Sequence, residues 1–281
     1  MFKAYFYIFE AVVFLLFILT LRHAWKVGWP RVWALSAGII FGLLLEWATI
    51  QQLHAYQYGR FALMIGEVPL MVGVAWGVII YSVRLFSYAT TLPLWAKPIL
   101  DGLLALNIDL AMDTIAIRWG MWDWGISLEK EFFGVPYANF WAWFWVVFFF
   151  SSGLNYLGKT NLPFKKWLVP FGALIIGLLG VLGTNALIVF GVPRAWYHTT
   201  IGSVLIGALI LIIALRPRLH HALIDLLAIL VPAAFHLYFL IAGLISGVIM
   251  NPPALLGVSL LMIGAAYFLH RPGSFFHIKQ T

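Results

Sequence analysis

Apolar stretches of about 20 residues follow one another along almost the whole chain, with short polar breaks between them. A helix of this length crosses the hydrocarbon core of a bilayer, which is about 30 Å thick. Lipid offers backbone amides no hydrogen-bond partner, so such stretches fold as helices, and they are too long and too evenly apolar for the strands of a membrane barrel. The sequence therefore predicts an all-α, polytopic membrane helix bundle that forms a single domain over residues 1–281.

The composition excludes the common soluble classes. The chain is 63% hydrophobic and only 10% charged, whereas soluble domains are about 45–50% apolar and about 25% charged. It contains no Cys, which excludes disulfides, thiolate metal sites and thiol nucleophiles together. Function is therefore expected inside or against the bilayer.

Nine membrane spans are predicted, with eight as an alternative, because the fourth span contains three Asp and the seventh closely follows Pro193. The first span is interpreted as a retained helix rather than a cleaved signal peptide, since it contains Glu10 and lacks a small-residue cleavage site. The predicted spans cover residues 5–22, 32–53, 62–83, 94–117, 133–157, 167–190, 196–215, 222–249 and 253–269.

The positive residues are distributed unevenly between the predicted loops. Of the 17 Lys and Arg residues, 12 follow the odd-numbered spans and five lie on the other side. Positive residues in short loops stay cytoplasmic, so a cytoplasmic membrane location is expected, with the N-terminus outside and the C-terminus in the cytoplasm. Topology and attraction to anionic membrane lipids account for the net charge of +7, and no nucleic-acid partner is predicted.

Four acids within the spans, Glu46, Glu67, Asp109 and Asp113, fall in the same non-cytoplasmic half of the membrane in this topology. A carboxylate at mid-depth costs about 2.5–3.5 kcal/mol on insertion scales and is rarely present without a role. Asp109 and Asp113 are four residues apart and share one helix face. Two carboxylates so close in a low dielectric do not ionise together easily, so one is expected to keep its proton, as a general acid requires.

A structural role for these acids is the alternative interpretation. They would then pair with Arg60, Arg118 or His198 and only lock helices together. Asp101 and Asp225 are interpreted as interfacial residues, the latter at a helix start.

Aromatic residues make up 17% of the chain and are densest around the end of the fourth span. They form either an interfacial belt or an apolar, π-rich cavity for a long unsaturated substrate, whose carbocation the ring faces could stabilise. The dense set is Trp119, Trp122, Trp124, Phe132, Phe133, Trp141, Trp143 and Trp145.

Short motifs in residues 40–160 have an order and spacing typical of one family. They are Gly42-Leu-Leu-Leu-Glu46, Tyr56-Gln-Tyr58-Gly59, Val68-Pro69-Leu70, Ala75-Trp76, Tyr81, Asp109-Leu-Ala-Met-Asp113, Gly120-Met-Trp122-Asp-Trp124, Phe133-Gly-Val-Pro136-Tyr-Ala-Asn139-Phe140 and Trp143-Phe144. In these stretches the chain resembles the integral-membrane carotenoid biosynthesis proteins that include γ-carotene hydratase and bisanhydrobacterioruberin hydratase. It departs from the family at Thr114 and Ala142, where Pro and Gly are usual, and at Glu67, where a small residue is usual. Residues 160–281 match only as generic membrane spans.

The resemblance implies that water is added to the terminal double bond of an acyclic carotenoid, or of another isoprenoid lipid, to give a tertiary alcohol without a cofactor or metal. Asp113 or Asp109 would protonate the alkene and Glu46 would deprotonate water, with Glu67 as a further catalytic candidate. Other carotenoid biosynthesis enzymes are expected partners beside membrane lipids. The residues expected to contact the substrate or the water are Tyr56, Tyr58, Trp76, Trp122, Trp124, Asn139 and Trp143.

Two other classes of protein remain open. A membrane prenyltransferase also uses Asp-x-x-x-Asp to hold Mg²⁺ and diphosphate, but it normally has a second Asp-rich motif, and the later half of this chain offers only Asp225. A proton-coupled transporter or a pigment-binding subunit would also contain intramembrane carboxylates and broken segments such as Gly191-Val-Pro193 and Asn251-Pro-Pro253.

Overall fold

The computed structural model describes residues 3–54, 56–161, 164–220 and 224–270. In these ranges the chain folds into nine α-helices, one overlapping each predicted span, and the predicted all-α bundle is confirmed. The helices are α1 (Lys3–Val27), α2 (Trp29–Leu53), α3 (Leu70–Tyr88), α4 (Lys97–Trp119), α5 (Tyr137–Leu157), α6 (Lys165–Ala186), α7 (Tyr197–Ala214), α8 (Leu226–Ser246) and α9 (Ala254–His270). A π-helical turn (Leu187–Gly191) continues α6, and 3₁₀ turns (Arg194–Trp196 and Val248–Met250) precede α7 and α9. Four two-residue strands lie in the loops: β1 (Gln57–Tyr58), β2 (Met64–Ile65), β3 (Val68–Pro69) and β4 (Trp122–Asp123).

Seven helices in the described ranges are long and apolar enough to cross a membrane. The other two are α4, which carries three Asp, and α9, which has 17 residues. The protein is therefore a multi-pass membrane protein. Arg271 and Lys279, two of the positive residues behind the predicted cytoplasmic C-terminus, lie outside the described residues.

Helices α3 and α4 form the centre of the bundle. Helix α3 packs against α1, α2, α4 and α8, while α4 packs against α3, α5, α8 and α9. Most side chains of both helices are buried, whereas α7 buries few of its side chains and lies at the edge. Because protein rather than lipid surrounds α4, this helix can carry acidic residues that a lipid-facing helix could not.

The start of the third span differs most from the sequence prediction. The span is predicted from residue 62, but α3 begins at Leu70. The preceding residues form a hairpin in which β2 pairs with β3, and Gly66 provides the positive φ of 60° in its turn. The prediction that Glu67 lies early in a membrane helix is therefore wrong, because this residue lies in the hairpin turn.

The loops at one end of the bundle form a shared cap. Strand β1, between α2 and α3, pairs antiparallel with β4, between α4 and α5, so that Tyr58 lies opposite Trp122. The Gly59 amide extends this pairing by donating to the Met121 carbonyl at 2.9 Å. The residues that follow α2 and α4 are thus held together over the helix ends.

A buried polar cluster joins α3, α4 and α5 at the other end. Asp101, predicted to be interfacial, lies one turn into α4, and its side chain is fully buried in protein near Arg84 and Lys97. The Lys97 ammonium donates to the Ser87 carbonyl at 2.8 Å, and the Arg84 guanidinium donates to Asn155 Oδ1 at 3.1 Å. The two cations make Asp101 tolerable inside the protein.

Helices α2 and α3 approach each other closely through facing glycines. A Cβ atom on Gly38 would lie 3.2 Å from Gly77 Cα, and one on Gly42 would lie 2.6 Å from Trp76 Cβ. Gly38 and Gly42 are four residues apart and therefore lie on one helix face, an arrangement typical of tightly packed membrane helices. The close approach brings Trp76 directly against α2.

We expect Gly77→Ala to lower the thermal unfolding midpoint of the protein in detergent. The added methyl would lie 2.5 Å from Ile39 Cγ1 and 3.0 Å from the Ile39 backbone nitrogen. Overpacking of this kind costs about 1–3 kcal/mol. The matched control is Gly202→Ala in α7, where a Cβ meets nothing within 4 Å and Ala is the better helix former. A midpoint for Gly77→Ala equal to that of the wild type would contradict the close packing.

Candidate functional site

A cavity of about 130 Å³ lies beneath the cap, where α2, α4 and α6 end and α3 and α5 begin. Its wall is mainly apolar and aromatic. Among the described residues, no Lys, Arg or His lines this cavity. The polar side chains in the wall, apart from the indoles, are Glu46, Thr49, Tyr56, Tyr58, Asp113, Asn139 and Asn185.

Glu46, on α2, accepts three side-chain hydrogen bonds. Tyr56 and Tyr58 donate their hydroxyls to Oε2 at 2.5 and 2.8 Å, and the Trp76 indole donates to Oε1 at 2.7 Å. The chain can return toward Glu46 because His54 ends α2 in the left-handed conformation, with φ at 47°. Residues that are distant in sequence therefore hold one carboxylate in a fixed orientation.

The two tyrosines remain neutral donors. Burial, together with the charge of the adjacent Glu46, raises the pKa of Tyr56 and of Tyr58 well above the ordinary phenol value. Both phenols therefore keep their protons at any physiological pH and continue to donate to the carboxylate.

Asp109 and Asp113 share a single hydrogen-bond donor. Both are buried on α4, and the Asn139 amide of α5 donates to Asp109 Oδ2 at 3.0 Å and to Asp113 Oδ2 at 2.8 Å. One nitrogen therefore bridges two carboxyl groups in a region of low dielectric. Such a pair is expected to hold one shared proton, because two adjacent buried negative charges repel each other strongly.

No cation neutralises this pair in the part of the chain that the structure describes. The one ion pair found there joins His23 and Asp225, at 2.8 Å. The Arg118 guanidinium donates instead to the backbone carbonyls of Thr114 and Phe133. Helix locking by acid–base pairs, the alternative interpretation of the sequence, is therefore not what these contacts indicate.

The two aspartates differ in access to the cavity. Asp113 lines the wall, whereas Asp109, one turn earlier on α4, does not. The indoles of Trp122 and Trp124 line the wall close to the Asp113 carboxylate. Of the two aspartates, Asp113 is thus the one that a bound molecule can reach.

Aromatic rings enclose the remainder of the space. Trp76 and Trp143 pack with ring centroids 4.2 Å apart, and Tyr56 packs on Trp124 at 4.7 Å. In contrast, Trp25 is 67% exposed and belongs to the outer belt. The structure brings all the residues expected to contact substrate or water into one wall: Tyr56, Tyr58, Trp76, Trp122, Trp124, Asn139 and Trp143.

The structure separates Glu67 from the other predicted site residues. Its side chain is exposed, lies 3.5 Å from the Gln51 amide and does not line the cavity. The predicted site residues do not include Thr49, Asn185 and Val189, although all three line the wall. Their positions in apolar helices gave little signal, except that Asn185 is a polar residue within a span.

We expect Glu46→Gln to lower the pKa of Tyr56 and Tyr58. The substitution removes the negative charge that repels each phenolate, while burial still keeps both pKa values above the ordinary value of about 10. Carbon-13 NMR of tyrosine-labelled protein, assigned with Tyr56→Phe and Tyr58→Phe, would follow both titrations. Unchanged titration in the Gln variant would contradict the hydrogen-bonded arrangement.

We expect Asn139→Leu to destabilise the protein by about 1–3 kcal/mol, because it leaves two buried carboxyl groups without their donor. Adding Asp109→Leu removes one of those carboxyl groups, so the double variant should be less destabilised than the sum of the single variants. The coupling is measured from the unfolding midpoints, in detergent, of the wild type, Asn139→Leu, Asp109→Leu and the double variant. Simple additivity would show that Asn139 does not bridge the pair.

Comparison with models of known protein families, with curated proteins and with solved structures gives no match for this chain. The resemblance to carotenoid hydratases therefore stays a prediction from short motifs. The chemistry of the cavity must carry any proposal about function.

Proposed function

We propose that the protein is a cofactor-independent hydratase that adds water to the terminal double bond of an acyclic carotenoid or a similar isoprenoid chain. The observation that carries this proposal is the buried Asp109–Asp113 pair, bridged by Asn139 and facing an aromatic cavity with no cation among its described lining residues. Such a site can bind an apolar substrate, donate a proton to it and stabilise a positively charged intermediate.

Proton transfer is the first step. Asp113 gives the shared proton of the pair to the less substituted alkene carbon, and the π bond is consumed in forming the new C–H bond. The positive charge then lies on the tertiary carbon. The carboxylate left on the pair attracts this cation, and the faces of Trp76, Trp122 and Trp143 shield it from premature reaction.

Water attack is the second step. The water oxygen bonds to the tertiary carbon while Glu46 accepts one of its protons, leaving a tertiary alcohol. Tyr56 and Tyr58 donate their hydroxyl protons to Glu46, so their oxygen lone pairs remain free to hold the incoming water. Return of the proton from Glu46 to the aspartate pair through water in the cavity resets the site, and the net change is addition of one water.

The location and partners of this activity follow from the charge distribution. The positive-inside pattern supports a cytoplasmic membrane protein whose cavity lies in the non-cytoplasmic half. The substrate would be an isoprenoid lipid dissolved in that membrane, supplied by other enzymes of carotenoid biosynthesis.

A non-catalytic pigment-binding subunit is the second candidate, because an aromatic cavity also binds an unmodified polyene. The shared aspartate pair favours the hydratase, since a binding site for a hydrocarbon gains nothing from two buried carboxyl groups. A prenyltransferase is less well supported. Its diphosphate substrate needs cations, and no Lys or Arg lines the cavity in the described ranges.

We expect a bacterium that accumulates lycopene to form a more polar pigment, heavier by one water, when it expresses this protein. Asp113→Asn should reduce this product by about 100-fold or more, the usual contribution of a general acid. Asp109→Asn should also reduce it, since Asp113 then loses the partner that shares its proton. Chromatography with mass detection of the extracted pigments measures both effects.

Glu67→Gln is the matched control, because it neutralises an exposed acid outside the cavity and should leave the product unchanged. Full product from Asp113→Asn would refute the acid assignment. Unaltered lycopene with the folded wild-type protein, together with recovery of bound pigment on purification, would favour the pigment-binding candidate.

A further inference from the structure

We infer that the isoprenoid chain enters the cavity sideways from the lipid, between α2 and the π-helical turn Leu187–Gly191. The nature of the chain rests on the proposed function, whereas the position of the entrance rests on the geometry of the cavity wall. Thr49 and Leu53 of α2 and Val189 of the π-helical turn form what we call the rim.

The size of the cavity requires an opening. A volume of about 130 Å³ is close to that of an apolar protein cavity of about 150 Å³ that holds one benzene molecule. It therefore accommodates the branched end of an isoprenoid chain but not a long polyene. The remainder of the chain must pass through the wall while its end reacts.

Exposure of the lining residues locates this opening. Val189 is 39% exposed and is the most exposed of the described side chains that line the cavity. Thr49 and Leu53 are half-buried, whereas Met112 and Ile79, which line deeper parts of the wall, are 5% and 1% exposed. The lining residue most open to the outside therefore lies in the π-helical turn.

The π-helical turn places neighbouring side chains on opposite sides of the wall. Ile188 is 1% exposed and lines the cavity, while Leu187 and Phe190 point outward with 56% and 71% exposure. The turn is closed by the Val192 amide, which donates to the Leu187 carbonyl at 3.0 Å. A π-helical turn is less tightly wound than an α-helix and often occurs at functional sites.

The chemistry of the rim selects an apolar occupant. Its three side chains carry no charge, and the same two helices, α2 and α6, expose the apolar side chains of Trp47 and Leu179. Such a surface faces lipid in a membrane helix. A hydrocarbon chain already dissolved in the bilayer can therefore slide through the rim, whereas a charged substrate would have to leave its headgroup outside.

A hydrogen bond limits how far the rim opens. The Gln52 amide, beside Leu53, donates to the Leu182 carbonyl of α6 at 3.0 Å. This bond joins α2 to α6 next to the rim.

The absence of Cys makes a labelling test straightforward, because one introduced thiol is the only one in the chain. Val189→Cys places it at the rim, and Leu187→Cys places it in the same turn but outside the wall. Each variant is reconstituted in vesicles and treated with an alkyl maleimide, and mass spectrometry of the intact protein follows the reaction. The probes are lycopene and squalane, a saturated isoprenoid that cannot be hydrated.

Both probes should slow alkylation of Val189→Cys and leave alkylation of Leu187→Cys unaffected. At a probe concentration of ten times the dissociation constant of that probe, the rate for Val189→Cys should fall by about tenfold. Val189→Phe should slow product formation in the lycopene strain, while Leu187→Phe should not. If neither probe changes the alkylation rate of Val189→Cys, in protein that unfolds at the wild-type midpoint, the proposed position of the entrance is wrong. Protection by both probes, with no hydration product formed from lycopene, would support the entrance and refute the hydratase.

Discussion

The close packing of α2 against α3 is the contact on which the site depends. In a bilayer the hydrophobic effect does not drive helices together, so van der Waals contact between closely packed backbones becomes a major source of their association. Trp76 lies against Gly42, one turn before Glu46 on α2, and its indole N–H therefore reaches that carboxylate at 2.7 Å. A wider separation of the helices would remove a donor from Glu46 and part of the cavity wall together.

The bundle separates its buried charges by sign. At the capped end, Glu46 and the Asp109–Asp113 pair are held by neutral donors, while at the other end Arg84 and Lys97 are held by carbonyl oxygens and by the nearby Asp101. Glu46, Arg84 and Lys97 thus have the hydrogen-bond partners that a low-dielectric interior demands. Positive charge that develops on a bound chain at the capped end meets acids and aromatic faces, with no lining Lys or Arg among the described residues to oppose it.

Hydropathy predicted the helices, because a membrane permits so few backbone structures, and the spacing of Asp109 and Asp113 correctly indicated that both lie on one helix. Hydropathy could not reveal that the apolar residues before Leu70 form a hairpin. A turn at Gly66 does not change a hydropathy average taken over about 19 residues. The charges near Asp101 predict an interfacial depth, but they do not reveal that its side chain is buried in protein beside Arg84 and Lys97. Val189 is one apolar residue among many, and only its place in the π-helical turn distinguishes it.

The small volume of the cavity also bears on the order of products from a symmetrical substrate. Only one chain end fits into about 130 Å³, so the other end stays in the lipid while the first reacts. The second end gains access only after the molecule has left and returned in the reverse direction. Under the proposed hydration, modification would then be distributive: singly hydrated molecules would be released into the bilayer and compete with fresh substrate, and the proportion of half-modified pigment would depend on how much protein the membrane contains.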